Sequence, residues 1–159
     1  MRKLLELLEE NCKLAPAELA VMLGQEEQAV IALLEKLEAD KVILGYRALI
    51  NWGKVEGNGV TAIIEVKVTP ERETGFDKVA ERIYRFPQVR SVFLMSGAYD
   101  LLVEIEGSSL KEVAMFVAEK LAPLENVQGT VTHFILKKYK QDGVIFAEQE
   151  EDYRLVVTP

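Results

Sequence analysis

The chain has one cysteine, Cys12, and one histidine, His133, in 159 residues. A lone cysteine excludes an internal disulfide and a cysteine-rich metal site. Its ordinary role is that of a small apolar residue near a helix end. His133 falls mid-strand with no Cys, Asp or Glu at ligand spacing, so no metal or catalytic role is expected of it. Signatures of a Ser–His–Asp nucleophile, a phosphate-binding loop or a zinc site are also missing. The reading is therefore no catalytic residue, no metal and no cofactor. No apolar run approaches the roughly 20 residues a membrane span needs. The opening MRKLLELLEE is an amphipathic helix carrying acids rather than a signal peptide. The expected location is cytoplasmic, with no membrane partner.

Cations are also scarce, and their distribution matters. Of the formal net charge of −7, residues 1–53 contribute 6 cations against 9 acids, residues 54–140 balance at 12 each, and residues 141–159 hold 1 cation and 5 acids. What the chain does have is apolar content, 49% of its residues, enough for a folded globular protein.

The first 45 residues read as three helices. Leu4, Leu5, Leu7 and Leu8 line one side of the first, with Glu6, Glu9 and Glu10 opposite. Pro16 opens the second at a position where its missing N–H is no loss, and Gly24 turns the chain after Leu23. Leu19, Ala20 and Leu23 form its buried stripe. The third runs from about Glu26 to Asp40 and buries Val30, Leu33, Leu34 and Leu37. This pattern is a helix-turn-helix, the commonest way to seat a helix in a DNA major groove. Gln28, Ala32 and Lys36 fall on the solvent side of the third helix, and Arg47 lies just past it. They are the candidate base or phosphate contacts, although a solvated helix face has the same composition.

Residues 46–58 read as a linker, with Ala48 and Ile50 alternating as in a short strand and Gly53, Gly57 and Gly59 breaking the chain. Residues 59–140 then read βαββαβ. Val60–Val68 is a strand with Ala62, Ile64, Val66 and Val68 on one face. Phe76, Val79, Ala80, Ile83 and Tyr84 follow at helical spacing, ended by Pro87. Strands are expected over Val89–Met95 and Tyr99–Ile105, turning at Ser96-Gly97-Ala98, where Gly97 is expected to supply an unusual φ. Ser109 and Glu112 form a capping box for a helix burying Leu110, Val113, Ala114, Val117, Ala118 and Leu121. Thr130–Lys138 is the last strand. The fold class is α+β: a three-helix helix-turn-helix followed by a ferredoxin-like βαββαβ domain. Both helices must pack on one sheet face. The other, carrying Ile63, has nothing in this chain to cover it, which calls for a partner. Residues 141–159 form an acidic tail with apolar runs at Val144-Ile145-Phe146 and Leu155-Val156-Val157. The second run is expected to add a short strand.

Glu18-Leu19-Ala20 with Leu23-Gly24, the closing Val42-Ile43-Leu44-Gly45-Tyr46-Arg47-Ala48, and Gly97-Ala98-Tyr99-Asp100 between the middle strands together resemble the Lrp/AsnC, or feast/famine, family of transcriptional regulators. The resemblance covers roughly residues 1–140. It implies binding of double-stranded operator DNA, and a homodimer formed through the open sheet faces that can assemble into a tetramer or octamer. It also implies a small-molecule effector, an amino acid or related metabolite. Effector contacts fall on Gly97, Ala98, Tyr99 and Asp100, with Thr130 and Thr132 as polar neighbours. The third helix departs from the family's habit of Ser or Thr caps and an Arg around Leu33, since it opens Glu26-Glu27-Gln28-Ala29. Two other readings stay open. One is a metabolite-binding oligomer whose acidic helix-turn-helix makes protein contacts. The other is an enzyme, because haem-pathway decarboxylases share the layout; no His-rich or Arg-rich pocket signature supports it.

Overall fold

Leucines three and four residues apart meet on one side of a helix and need a partner surface to leave water. In the computed structural model they find it among three helices: α1 (Arg2–Glu10), α2 (Pro16–Leu23) and α3 (Glu27–Ala39). Leu4, Leu8, Leu19, Ala20, Val30 and Leu37 are buried together, with Leu23, Leu33, Leu34 and Ile43 half-buried around them. The Glu18 carboxylate accepts the Ala15 N–H at 2.8 Å and so ties the start of α2. Gly24 ends α2 in the left-handed region at φ 64°, where glycine bears no steric penalty. The structure describes residues 1–55, 57, 59–70 and 75–146. The chain divides into two units, Met1–Ile50 and Asn51–Pro159.

Ala48 and Ile50 do not form the expected strand. Residues 46–50 are exposed and have no ladder, and the next ordered element is a 3-10 turn at Trp52–Lys54. Alternation alone gives an extended segment; a strand also needs a hydrogen-bonded neighbour, and none pairs with it among the described residues.

The second unit holds β1 (Val60–Val68), α4 (Asp77–Tyr84), β2 (Val89–Leu94), β3 (Leu101–Gly107), α5 (Leu110–Phe116, continued by a π-helical turn over Val117–Leu121) and β4 (Val127–Phe134). The sheet is antiparallel, in the order β2-β3-β1-β4, with β1 and β3 central. Ala62, Ile64, Val66 and Val68 of β1 are buried with Val103 and Ile105 of β3, Val79 and Ile83 of α4, and Val113, Phe116 and Leu121. Backbones pass so closely at one corner that a Cβ on Gly59 would lie 2.4 Å from the Gly107 carbonyl oxygen.

Several expected details shift. Leu110, Ala114 and Ala118 are exposed, and Phe116 is buried instead. Rolling α5 trades two alanine methyls for a phenyl ring, which packs edge-to-face on Phe86 at 5.3 Å. The Ala122 N–H reaches back five residues to the Val117 carbonyl, and this widened turn still delivers Leu121 to the core. Tyr84 is exposed at the end of α4. The capping box closes on one side only: Ser109 Oγ accepts the Glu112 N–H, while the Glu112 carboxylate takes the N–H and hydroxyl of Ser108. Strand β4 starts and ends earlier than Thr130–Lys138, and β3 starts at Leu101 rather than Tyr99.

Val144–Ile145 (β6) pairs with Lys140–Gln141 (β5) across Asp142 and Gly143. Both turn residues have positive φ, 48° and 80°, as a two-residue hairpin turn requires. The run Leu155-Val156-Val157 lies outside the described residues. No described helix is long and apolar enough to cross a membrane.

Candidate nucleic-acid interface and ligand turn

In the first unit, α3 turns its apolar row inward and exposes the rest. Gln28, Ala32 and Lys36 are exposed at successive i, i+4 positions, and Arg47 is exposed beyond the helix. Lys36, Lys41 and Arg47 have no carboxylate partner among the described residues. Glu26 and Glu27 are exposed at the helix start, where acids suit the helix dipole and oppose phosphates. The segment after α3 is tied back to the helices. The Tyr46 hydroxyl donates to Glu38 Oε1 at 2.8 Å, and the Cys12 thiol lies 3.7 Å from the Arg47 carbonyl oxygen. Partial desolvation of the hydroxyl against the helices, and then the bond to Glu38, push the Tyr46 phenol above its usual pKa although the residue as a whole is exposed. This anchoring holds Arg47 beside the helical core, and sequence spacing gave no sign of it.

In the second unit, β2 and β3 are joined by the exposed Ser96, Gly97 and Ala98 and the half-buried Tyr99, closed by a 2.8 Å bond from the Met95 N–H to the Asp100 carbonyl. Gly97 has no left-handed φ and only open space where a Cβ would go. Its expected role in supplying an unusual φ is therefore corrected: the turn does not require glycine, and the backbone there is simply uncovered. Asp100 is the organising residue. Its carboxylate accepts the Val68 N–H at 2.8 Å and lies 3.6 Å from Lys67 Nζ, while its own N–H donates to the Val66 carbonyl. Lys67 Nζ also reaches the Ala98 carbonyl at 3.4 Å. Thr130 and Thr132 pair in register with Val66 and Ile64, whose side chains are in the core. The two threonines therefore sit on the helix-covered side of β4. The structure brings Lys67 to Asp100, and neither threonine.

The open sheet face carries Ile63, Leu102 and Ile135, all half-buried, and the exposed Phe93 and Val131. Glu65 Oε1 lies 3.1 Å from His133 Nε2 on this face. The partner is 68 residues away in sequence and arrives through the β1–β4 register, which local spacing does not reveal.

Residues 1–43 match the description "Winged helix-turn-helix DNA-binding", and residues 61–145 match "Lrp/AsnC ligand binding domain". A relative in Bacillus subtilis (strain 168), the uncharacterized HTH-type transcriptional regulator YugG, is 53% identical over 158 residues, covering 99% of this chain and 95% of the relative. The transcriptional regulator NMB0573 of Neisseria meningitidis, solved as an L-Met complex, is similar with a TM-score of 0.68 at 25% identity, covering 87% of this chain and 89% of that one. The feast or famine regulatory protein Rv3291c of M. tuberculosis, solved with L-methionine, has a TM-score of 0.72 at 23% identity, covering 89% of this chain and 92% of that one, a likeness of fold. A helix-turn-helix joined to a ligand-binding βαββαβ domain defines a transcriptional regulator. The chain belongs to the Lrp/AsnC family, whose members are transcriptional regulators rather than enzymes.

Proposed function

We propose that this regulator binds operator DNA as a dimer through α3 and is tuned by an amino acid held at the Gly97–Asp100 turn. The observation that carries the DNA part is the exposed row Gln28, Ala32 and Lys36 on the second helix of a matched helix-turn-helix, with unpaired Lys41 and Arg47 close by in the chain. The relatives solved with methionine make an amino acid the first class to test. At the turn, Asp100 offers a carboxylate for an ammonium, Lys67 a cation for a carboxylate, and Gly97 and Ala98 an open backbone. The dimer rests on the open sheet face, where Phe93 and Val131 are about half exposed, at 52% and 53%.

Two assays test this. Selection from random duplex DNA at low salt should enrich a dyad-symmetric site. Binding to the folded state raises its stability by about 2.7 kcal/mol at a hundredfold excess over Kd. One or a few amino acids should therefore raise the melting temperature by several degrees. Gly97→Ala should leave the unliganded melting temperature unchanged and weaken that response, because its methyl enters the space a ligand needs. A full ligand response in Gly97→Ala places the effector elsewhere. If no DNA sequence is enriched, the acidic first unit, with Val21 83% exposed on α2, supports protein contacts instead.

A further inference from the structure

The outer side of α3 contains no guanidinium. Its exposed residues are Gln28, Ala29, Ala32, Glu35, Lys36, Glu38 and Ala39, behind the exposed Glu26 and Glu27. The single cation, Lys36, lies in the last turn. A helix of this kind presents its N-terminal residues to base edges, so Lys36 is placed toward the phosphate backbone. The stripe at the reading end is then an amide and two methyls: Gln28, Ala29 and Ala32. Glu26 and Glu27 precede that stripe at the exposed start of the helix.

Each base pair presents its own pattern in the major groove. Guanine is read mainly by two-pronged Arg or Lys on O6 and N7, adenine by the amide of Asn or Gln on N6 and N7, and the thymine methyl by apolar contact such as Ala. From this inventory we infer that α3 selects A·T pairs, with Gln28 reading an adenine and Ala29 and Ala32 packing on thymine methyls. The inference rests on the DNA-binding reading above and deepens it by naming the base composition of the half-site. The carboxylates of Glu26 and Glu27 only accept, so they can meet the amino group of adenine or of cytosine but not the O6 and N7 acceptors of guanine.

The test is selection from random duplex DNA at low salt with the full chain, followed by titration of the selected site. The expected result is a dyad-symmetric site whose half-sites fix A·T pairs where the N-terminal end of α3 enters the groove. Replacing the adenine read by Gln28 with guanine, or with 7-deaza-adenine that lacks the N7 acceptor, should weaken binding on the order of tenfold to a hundredfold. Gln28→Ala should remove that difference, and Gln28→Arg should shift the preference at that one pair to guanine. Gln28 is exposed, so both variants should melt with the wild type. Fixed G·C pairs at the α3 contacts of the wild type, or a Gln28→Arg protein that keeps the wild-type preference, overturns the inference while DNA binding stands. Absence of any enriched sequence overturns both.

Discussion

Single residues differ sharply here even when their type is the same. Gly59 and Gly97 both mark breaks in the sequence, yet only one is required by packing. A methyl on Gly59 meets the Gly107 carbonyl oxygen at 2.4 Å, and backbone cannot swing aside as a side chain can. Gly59→Ala is expected to lower stability by about 1–3 kcal/mol, read as a shifted denaturation midpoint with an unchanged slope. Glu112 shows a different kind of single-residue control. Hydrogen bonds from the Ser108 hydroxyl and N–H hold its carboxyl below the usual range. A folded pKa lowered in this way adds stability above the ordinary carboxylate range, and that stability is lost as pH falls through the folded value. Glu112→Gln should therefore melt below the wild type at neutral pH, with the gap closing in acid. A gap independent of pH would assign the effect to packing rather than charge. The Gly59 contact cannot be read from local sequence, because it depends on how distant segments meet, whereas the Ser108 bonds span four residues and differ from the expected capping box by one position.

Elements were the most legible level. The inward rows of α2, α3 and β1 follow from periods of 3.6 and 2, and the structure buries Leu19, Val30, Leu37 and the Ala62–Val68 row as that periodicity requires. The exception is α5, where Leu110, Val113, Ala114, Val117, Ala118 and Leu121 make an equally regular apolar stripe. Periodicity cannot say how far a helix rolls when a large ring competes with methyls. Phe116 wins because its burial removes more apolar area from water than Ala114 and Ala118 offer. Phe116→Ala is expected to cost about 3–5 kcal/mol, while Leu110→Ala stays within about 0.5 kcal/mol. Equal losses from the two substitutions, measured by denaturant unfolding, would contradict the observed roll. The pairing of His133 with Glu65 was hidden for a related reason: register between β1 and β4 is a property of the sheet and not of either strand.

At the scale of the whole molecule, the open sheet face and the sparse cations lead to linked expectations. Phe93, Val131 and Ile63 form an apolar surface that a second copy would cover, so Val131→Glu should convert a dimer into a monomer in light scattering at micromolar concentration. A wild-type protein that is already monomeric and folded there would remove the basis for dimeric DNA binding. Given a dimer, the charge count sets how its DNA affinity responds to salt. The logarithm of affinity falls with the logarithm of salt concentration at about 0.9 per neutralised phosphate. Each protomer offers three unpaired cations on or just beyond α3: Lys36, Lys41 and Arg47. A dimer that uses all of them should give a slope of about −5. Arg47→Ala removes one phosphate contact per protomer and should bring the slope to about −4 while leaving the selected sequence unchanged, because a phosphate contact fixes register and carries no base information. A slope as steep as about −10 would mean that cations outside the first unit also reach the DNA. A slope near zero would mean that neither Arg47 nor the lysines touch phosphate, and the acidic face of α3 would then have to be a surface for protein.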